Sequence, residues 1–223
     1  MAFGIPTAGA MDLLPPDDLL PHQRLALAYA PARTRGAIGT TLHLDNRLSG
    51  ILRLGGEPMI AQIKLAWWRD RLQEDPSRWP AGEPLLQALR DWPGNVSDLA
   101  PLVDGFETLL AETFGMRELE TYRTGRSTPW LALANWRGVP LGPVEQAAGQ
   151  WALADLIPHL ANAEERAMAL AALDTSKASL PRDLRPLAVL RSLSLRAVDS
   201  DGADPLHGPG ALFTALRAGL SGR

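Results

Sequence analysis

Apolar residues recur at helical spacing along almost the whole chain, and no segment alternates apolar and polar residues as a half-buried strand would. That regularity restricts the chain to a helical architecture. It is clearest between Pro31 and Gly55-Gly56, where Ile38, Leu42, Leu48 and Leu52 share one face. Proline tends to open the periodic stretches and glycine to close them, as proline's fixed φ and glycine's left-handed freedom favour. The spacing predicts helices over "PPDDLLPHQRLALAYA", with Asp17 or Asp18 near its start, over "PARTRGAIGTTLHLDNRLSGILRL", and over "PMIAQIKLAWWRDRLQE". A short helix from Pro84 to Trp92 follows, then "VSDLAPLVDGFETLLAETF" with Ser97 as its N-cap. "MRELETYRTGRSTPWLALANWRGV" reads as a helix pair broken by a turn from Gly125 to Pro129. The alanine-rich stretch from Pro143 is apolar on nearly every side, which predicts a central core helix, and Pro158 should kink or divide it. Two amphipathic helices joined by a flexible "SDGADPLHGP" loop end the chain. No repeat or linker marks a boundary, so the expectation is one all-α domain over 16–223, of eight to ten helices, after a flexible tail at 1–15.

Composition removes several classes of function. The formal net charge is −3, which argues against a nucleic-acid surface or a polybasic membrane anchor. There is no cysteine, so disulfides, thiolate nucleophiles and cysteine-ligated metals are excluded. The four histidines, His22, His43, His159 and His207, lack close metal-ligand spacing. The first ten residues do not read as a signal peptide, and no run approaches the length of a membrane span. The default expectation from these features is a cytoplasmic protein, with peripheral membrane contact left open.

Two acids break the apolar faces on which they lie. Asp45 sits among Ile38, Leu42, Leu48 and Leu52, and Asp155 among Trp151, Ala152, Leu156 and His159. Burying an unpaired carboxylate costs several kcal/mol, so each needs a partner, a proton, a metal or a cavity. The plain reading pairs each with a nearby base such as Arg33, Arg35, Arg53 or Lys64. The functional reading has the two acids line a shared polar cavity inside the bundle. Trp67 and Trp68 point about 100° apart on their helix, so one should pack inward while the other covers a wall. Both can be core residues, or one indole can face a long apolar ligand. "GAIGTTLH" has glycines but lacks the lysine of a phosphate-binding loop.

"AYAPARTRGAIGTTLHLDNRLSGILR" followed by "EPMIAQIKLAWWRDRL" resembles the first third of the squalene/phytoene synthase family. The resemblance is strongest at Lys64-Leu65-Ala66-Trp67-Trp68-Arg69. It continues in order through "YRTGRSTPWLALANWRGV", "AAGQWALADLIPHLA", "LRPLAVLRSLSLRA" and "GALFTALRAGLSGR". It implies a helical bundle of the isoprenoid synthase type. Active members carry two DxxxD motifs on facing helices, where paired carboxylates and magnesium hold prenyl diphosphates.

This chain departs from that pattern. The first motif would fall on Asp45-Asn46-Arg47-Leu48-Ser49, with Ser49 in place of the second acid. The second would fall on His159 to Ala163, where neither acid is present, and Asp155 lies about one turn before it. The interval between "WALADLIPHLA" and "LPRDLRPLA" is also short. The resemblance therefore implies a protein without magnesium-dependent condensation, a binding or assembly factor. The family's non-catalytic branch includes a mitochondrial factor for assembling respiratory complex I. No cofactor is expected, and a protein partner in assembly fits this reading. One alternative is a prenyltransferase with an altered diphosphate site, with magnesium only in that case and Arg33, Arg35 and Arg53 as the anion clamp. Another is a carrier of an isoprenoid or other long apolar ligand. The substrate-binding candidates are Arg33, Arg35, Asp45, Ser49, Arg53, Trp68, Asp155 and His159, with no catalytic or metal-ligating residue assigned.

Overall fold

A computed structural model describes residues 14–53, 57–200, 202 and 204–223. The tail before residue 14, the Gly55-Gly56 stop and positions 201 and 203 of the "SDGADPLHGP" loop lie outside the described residues. Ten α-helices and no strand are present among the described residues. In chain order they are α1 (Pro21–Ala28), α2 (Ala32–Arg53), α3 (Pro58–Gln73), α4 (Pro84–Leu89), α5 (Ala100–Thr108), α6 (Met116–Arg137), α7 (Leu141–Leu156), α8 (Ala163–Ala172), α9 (Arg185–Asp199) and α10 (Gly210–Ser221). The fold is the expected all-α, single-domain bundle. None of the described helices is long and apolar enough to cross a membrane.

Helix α2 lies against α1, α3, α4, α5 and α6, and its buried side holds Ile38, Leu42, Asp45 and Leu48. Helices α5, α6, α7 and α9 pack each on the next, and α9 also meets α1 and α10. Helix α7 is buried nearly all round, as its alanine-rich sequence requires. Pro158 ends it at Leu156, and a 3-10 turn over Ile157–His159 follows.

Three local expectations are corrected. The first predicted helix splits at Pro21, leaving Pro16–Asp18 as a separate 3-10 turn. Ser97 is not an N-cap: Asn95 caps a 3-10 turn over Val96–Leu99 that leads into α5, its Oδ1 accepting from the backbone N–H of Ser97, because an Asx side chain reaches two residues on more readily than a serine. The third correction matters most. Residues 116–137 form one continuous helix, not a pair broken between Gly125 and Pro129.

Pro129 costs that helix one hydrogen bond, a penalty of roughly 3 kcal/mol. Packing outweighs it: Leu119, Tyr122, Trp130, Leu133 and Ala134 are all buried on this helix. Gly125 has a different purpose. A Cβ at this position would lie 2.1 Å from the Pro101 carbonyl oxygen and 3.2 Å from the Gly105 Cα, so the glycine lets α5 and α6 approach backbone to backbone. Gly138, at φ 64°, ends the helix in the left-handed conformation.

Candidate functional site

The buried face of α2 carries Asp45, and the buried face of α6 carries Arg126, 81 residues later. Arg126 Nε donates to Asp45 Oδ1 at 2.8 Å and Nη2 donates to Oδ2 at 2.9 Å. This two-pronged pairing fits the planar guanidinium fork to a carboxylate. The third nitrogen, Nη1, donates to the Tyr122 hydroxyl at 2.9 Å and lies 2.7 Å from Oδ2 of Asp155 on α7. The guanidinium plane also stacks on Trp151, with Cζ 4.1 Å from the ring centroid. Trp151 in turn meets Trp130 edge to face. One arginine therefore ties together α2, α6 and α7.

Burial opposes the charge on Arg126, but Asp45, Tyr122 and Asp155 outweigh it and hold the guanidinium protonated. Burial also pushes the Asp155 carboxyl up, yet Arg126 and then His22 bring it below its ordinary value of 3.8. Burial raises the Tyr122 phenol, which stays protonated and accepts from Arg126. His22 on α1 is pushed below its ordinary 6.5 by burial, only partly countered by Asp155, so it is neutral at pH 7. The buried ionic cluster thus holds two carboxylates and one guanidinium.

These side chains form one end of a cavity of about 570 Å³. Its wall includes Asp45, Ser49 and Arg53 from α2, Tyr122 and Arg126 from α6, and Asp155 from α7. Leu52, Phe106, Leu109 and Leu156 supply apolar wall, and Asp204 also belongs to the lining. Beside it, Gln23 on α1 and Asn46 on α2 exchange side-chain amide hydrogen bonds of 2.9 and 2.7 Å, which fixes α1 against α2. A second, larger cleft of about 880 Å³ opens toward α3 and α4, lined by His43, Arg47, Lys64, Trp67 and Trp68.

Of the residues singled out in the sequence, Asp45, Ser49, Arg53, Asp155 and His159 converge on the smaller cavity. Ser49 donates its hydroxyl proton to the Asn46 carbonyl of its own helix. Arg33 and Arg35 do not line the cavity. Arg33 pairs with Asp183, which Arg137 also holds at 2.9 Å, and Arg35 donates to the Ala30 carbonyl at 3.0 Å. Lys64 and Trp68 lie at the larger cleft instead; Trp68 is buried and its neighbour Trp67 partly exposed, their rings edge to face. Asp45 is paired, but by Arg126 rather than by a base close in sequence. Among the described residues no group of three histidine, aspartate or glutamate side chains could hold a metal ion.

Arg126, Tyr122 and His22 are the site residues that the sequence reading passed over. A signal was present for Arg126. With α6 continuous, Leu119, Tyr122, Arg126, Trp130 and Leu133 fall at spacings of three and four, placing a cation inside an apolar stripe. No protein-family model, curated protein or solved structure matches the chain.

Proposed function

We propose that this chain is a binding protein built on a squalene/phytoene synthase-like bundle, serving as a binding or assembly factor without magnesium-dependent prenyl-diphosphate condensation. One observation carries the reading: both oxygens of Asp45, the sole acid left in the first motif position, are engaged by Arg126. A magnesium clamp needs carboxylate oxygens free to face the ion and a phosphate. Here an internal guanidinium takes those oxygens, bridges to Asp155 and leaves an open, mostly apolar cavity beside them. The altered-enzyme reading gains no support from its arginines, since Arg33 and Arg35 are turned to other partners and only Arg53 reaches the cavity. A cytoplasmic protein that touches membranes peripherally agrees with the exposed Leu212, Phe213, Leu216 and Leu220 of α10.

The test has two arms. The purified chain is incubated with farnesyl and geranylgeranyl diphosphate plus magnesium, and products are followed by chromatography. No conversion is expected; conversion that depends on magnesium refutes the proposal. In parallel, native mass spectrometry of the purified chain should show a bound small molecule that Leu52→Trp, placed in the cavity wall, displaces.

A further inference from the structure

The charges around the cavity do not balance, and the imbalance indicates what it holds. Asp45 and Asp155 contribute two negative charges and Arg126 one positive, leaving an excess of one negative charge in the buried cluster. The remaining charged residues of the wall, the exposed Arg53 and Asp204, offset each other. Arg126 has no nitrogen to spare, because Nε and Nη2 are on Asp45 and Nη1 is shared between Tyr122 and Asp155. An anionic head group would therefore meet Asp155 and Asp204 with only Arg53 to answer it.

Asp155 and His22 each present an acceptor to the cavity. Oδ1 of Asp155 accepts no hydrogen bond from the described residues, although the side chain is only 21% exposed. His22 is 8% exposed, lines the same cavity and makes no hydrogen bond among the described residues. Its burial keeps the imidazole neutral, so one ring nitrogen is an acceptor. Neither is sealed from the cavity, so a ligand's donor can reach both.

We infer that the cavity takes an amphiphile with a monocationic amine head, its N–H groups on Asp155 and His22 and its tail along Leu52, Phe106, Leu109 and Leu156. The inference rests on the reading that this cavity is a binding site. The volume of about 570 Å³ suits it, lying within the roughly 300–1,000 Å³ of small-molecule sites. The ammonium would neutralise the buried cluster and donate to both acceptors at once. A neutral alcohol satisfies an acceptor but leaves the charge, and a phosphate worsens both.

Calorimetric titration of the full chain at pH 7 with decylamine, decanol and decyl phosphate, each kept below its aggregation concentration, tests this directly. Decylamine should bind at least about tenfold more tightly than decyl phosphate, with decanol between them. In Asp155→Asn, whose folding is checked by circular dichroism, the amine preference should fall to within about twofold while decanol binding persists. His22→Leu offers a second variant and should weaken decylamine severalfold without affecting decyl phosphate. Decyl phosphate binding as tightly as decylamine, or an amine preference that survives Asp155→Asn, overturns the inference and leaves the binding-site reading standing. Failure of all three probes to bind defeats the binding-site reading itself, and this inference with it.

Discussion

Removing the guanidinium that joins α2, α6 and α7 should be among the most damaging single changes in the molecule. Arg126→Met keeps most of the side-chain volume but deletes every polar contact of the residue. Arg126 and Asp45 are each only 4% exposed at the side chain, so little water can reach the carboxylate left behind. Breaking a buried pair from one side typically costs about 3–5 kcal/mol, because an uncompensated charge stays in the interior. Loss of the Trp151 stack adds to this. In a domain of this size each kcal/mol lowers the melting temperature by about 2–4 °C, so the expected fall is roughly 6–20 °C.

Urea denaturation followed by tryptophan fluorescence, together with calorimetric melting at pH 7, gives both quantities. Two companion variants protect the interpretation. Arg126→Lys keeps the charge but loses the fork, and should cost less, about 1.5–3 kcal/mol. Adding Asp45→Asn to Arg126→Met should restore part of the loss, since only Asp155, which is 21% exposed and open to hydration, then remains charged. A loss below about 1 kcal/mol in Arg126→Met, with no recovery in the double variant, would mean that water solvates the Asp45 carboxylate and that the Arg126–Asp45 pair does not sit in a low-dielectric interior.

Two further outcomes follow from other parts of the structure. Gly125→Ala should cost about 1–3 kcal/mol, because its Cβ would fall 2.1 Å from the Pro101 carbonyl oxygen and neither backbone can yield cheaply. Gly36→Ala, with nothing within 4 Å of the added Cβ, should instead stabilise by about 0.5–1 kcal/mol, and equal effects in urea melts would refute the close-crossing account of α5 and α6. His22 gives a pH signature. Its folded pKa lies below the ordinary 6.5, so between those two values the unfolded chain takes up a proton that the folded chain refuses. Stability should therefore fall as pH drops through 6.5, and less steeply in His22→Gln; melting curves that stay parallel from neutral to mildly acidic pH would contradict this.

The helices were legible in the sequence because each depends on local periodicity and on proline or glycine at its ends. The same locality made half of the site legible. Asp45, Ser49 and Arg53 stand at i, i+4 and i+8 on α2, and Asp155 and His159 stand four apart, so one face of each element could be read directly. What pairs Asp45 could not be read this way, since its partner lies 81 residues away on another helix. Nearness in sequence pointed instead to Arg33 and Arg35. On a helix, Arg33 is twelve residues and roughly 18 Å from Asp45 along the axis, beyond any side chain's reach.

Arg126 was hidden by a second effect. Gly125 and Pro129 carry the local signature of a turn, and a turn there would place Arg126 in a connection instead of a buried stripe. In the fold these two residues answer to tertiary demands, Gly125 to the close approach of α5 and Pro129 to a helix kept continuous by its buried packing. Once the helix is continuous, a cation in the stripe of α6 faces an anion in the stripe of α2, and each explains the other's position. The buried pair alone would not require a cavity, for a pair replaced by apolar residues of similar volume often leaves a fold equally stable. The unmatched second carboxylate, Asp155, does require one. A buried excess charge with an unused acceptor is tolerated where solvent or a ligand can reach it, and Asp155 is the member of the cluster that opens to the 570 Å³ chamber.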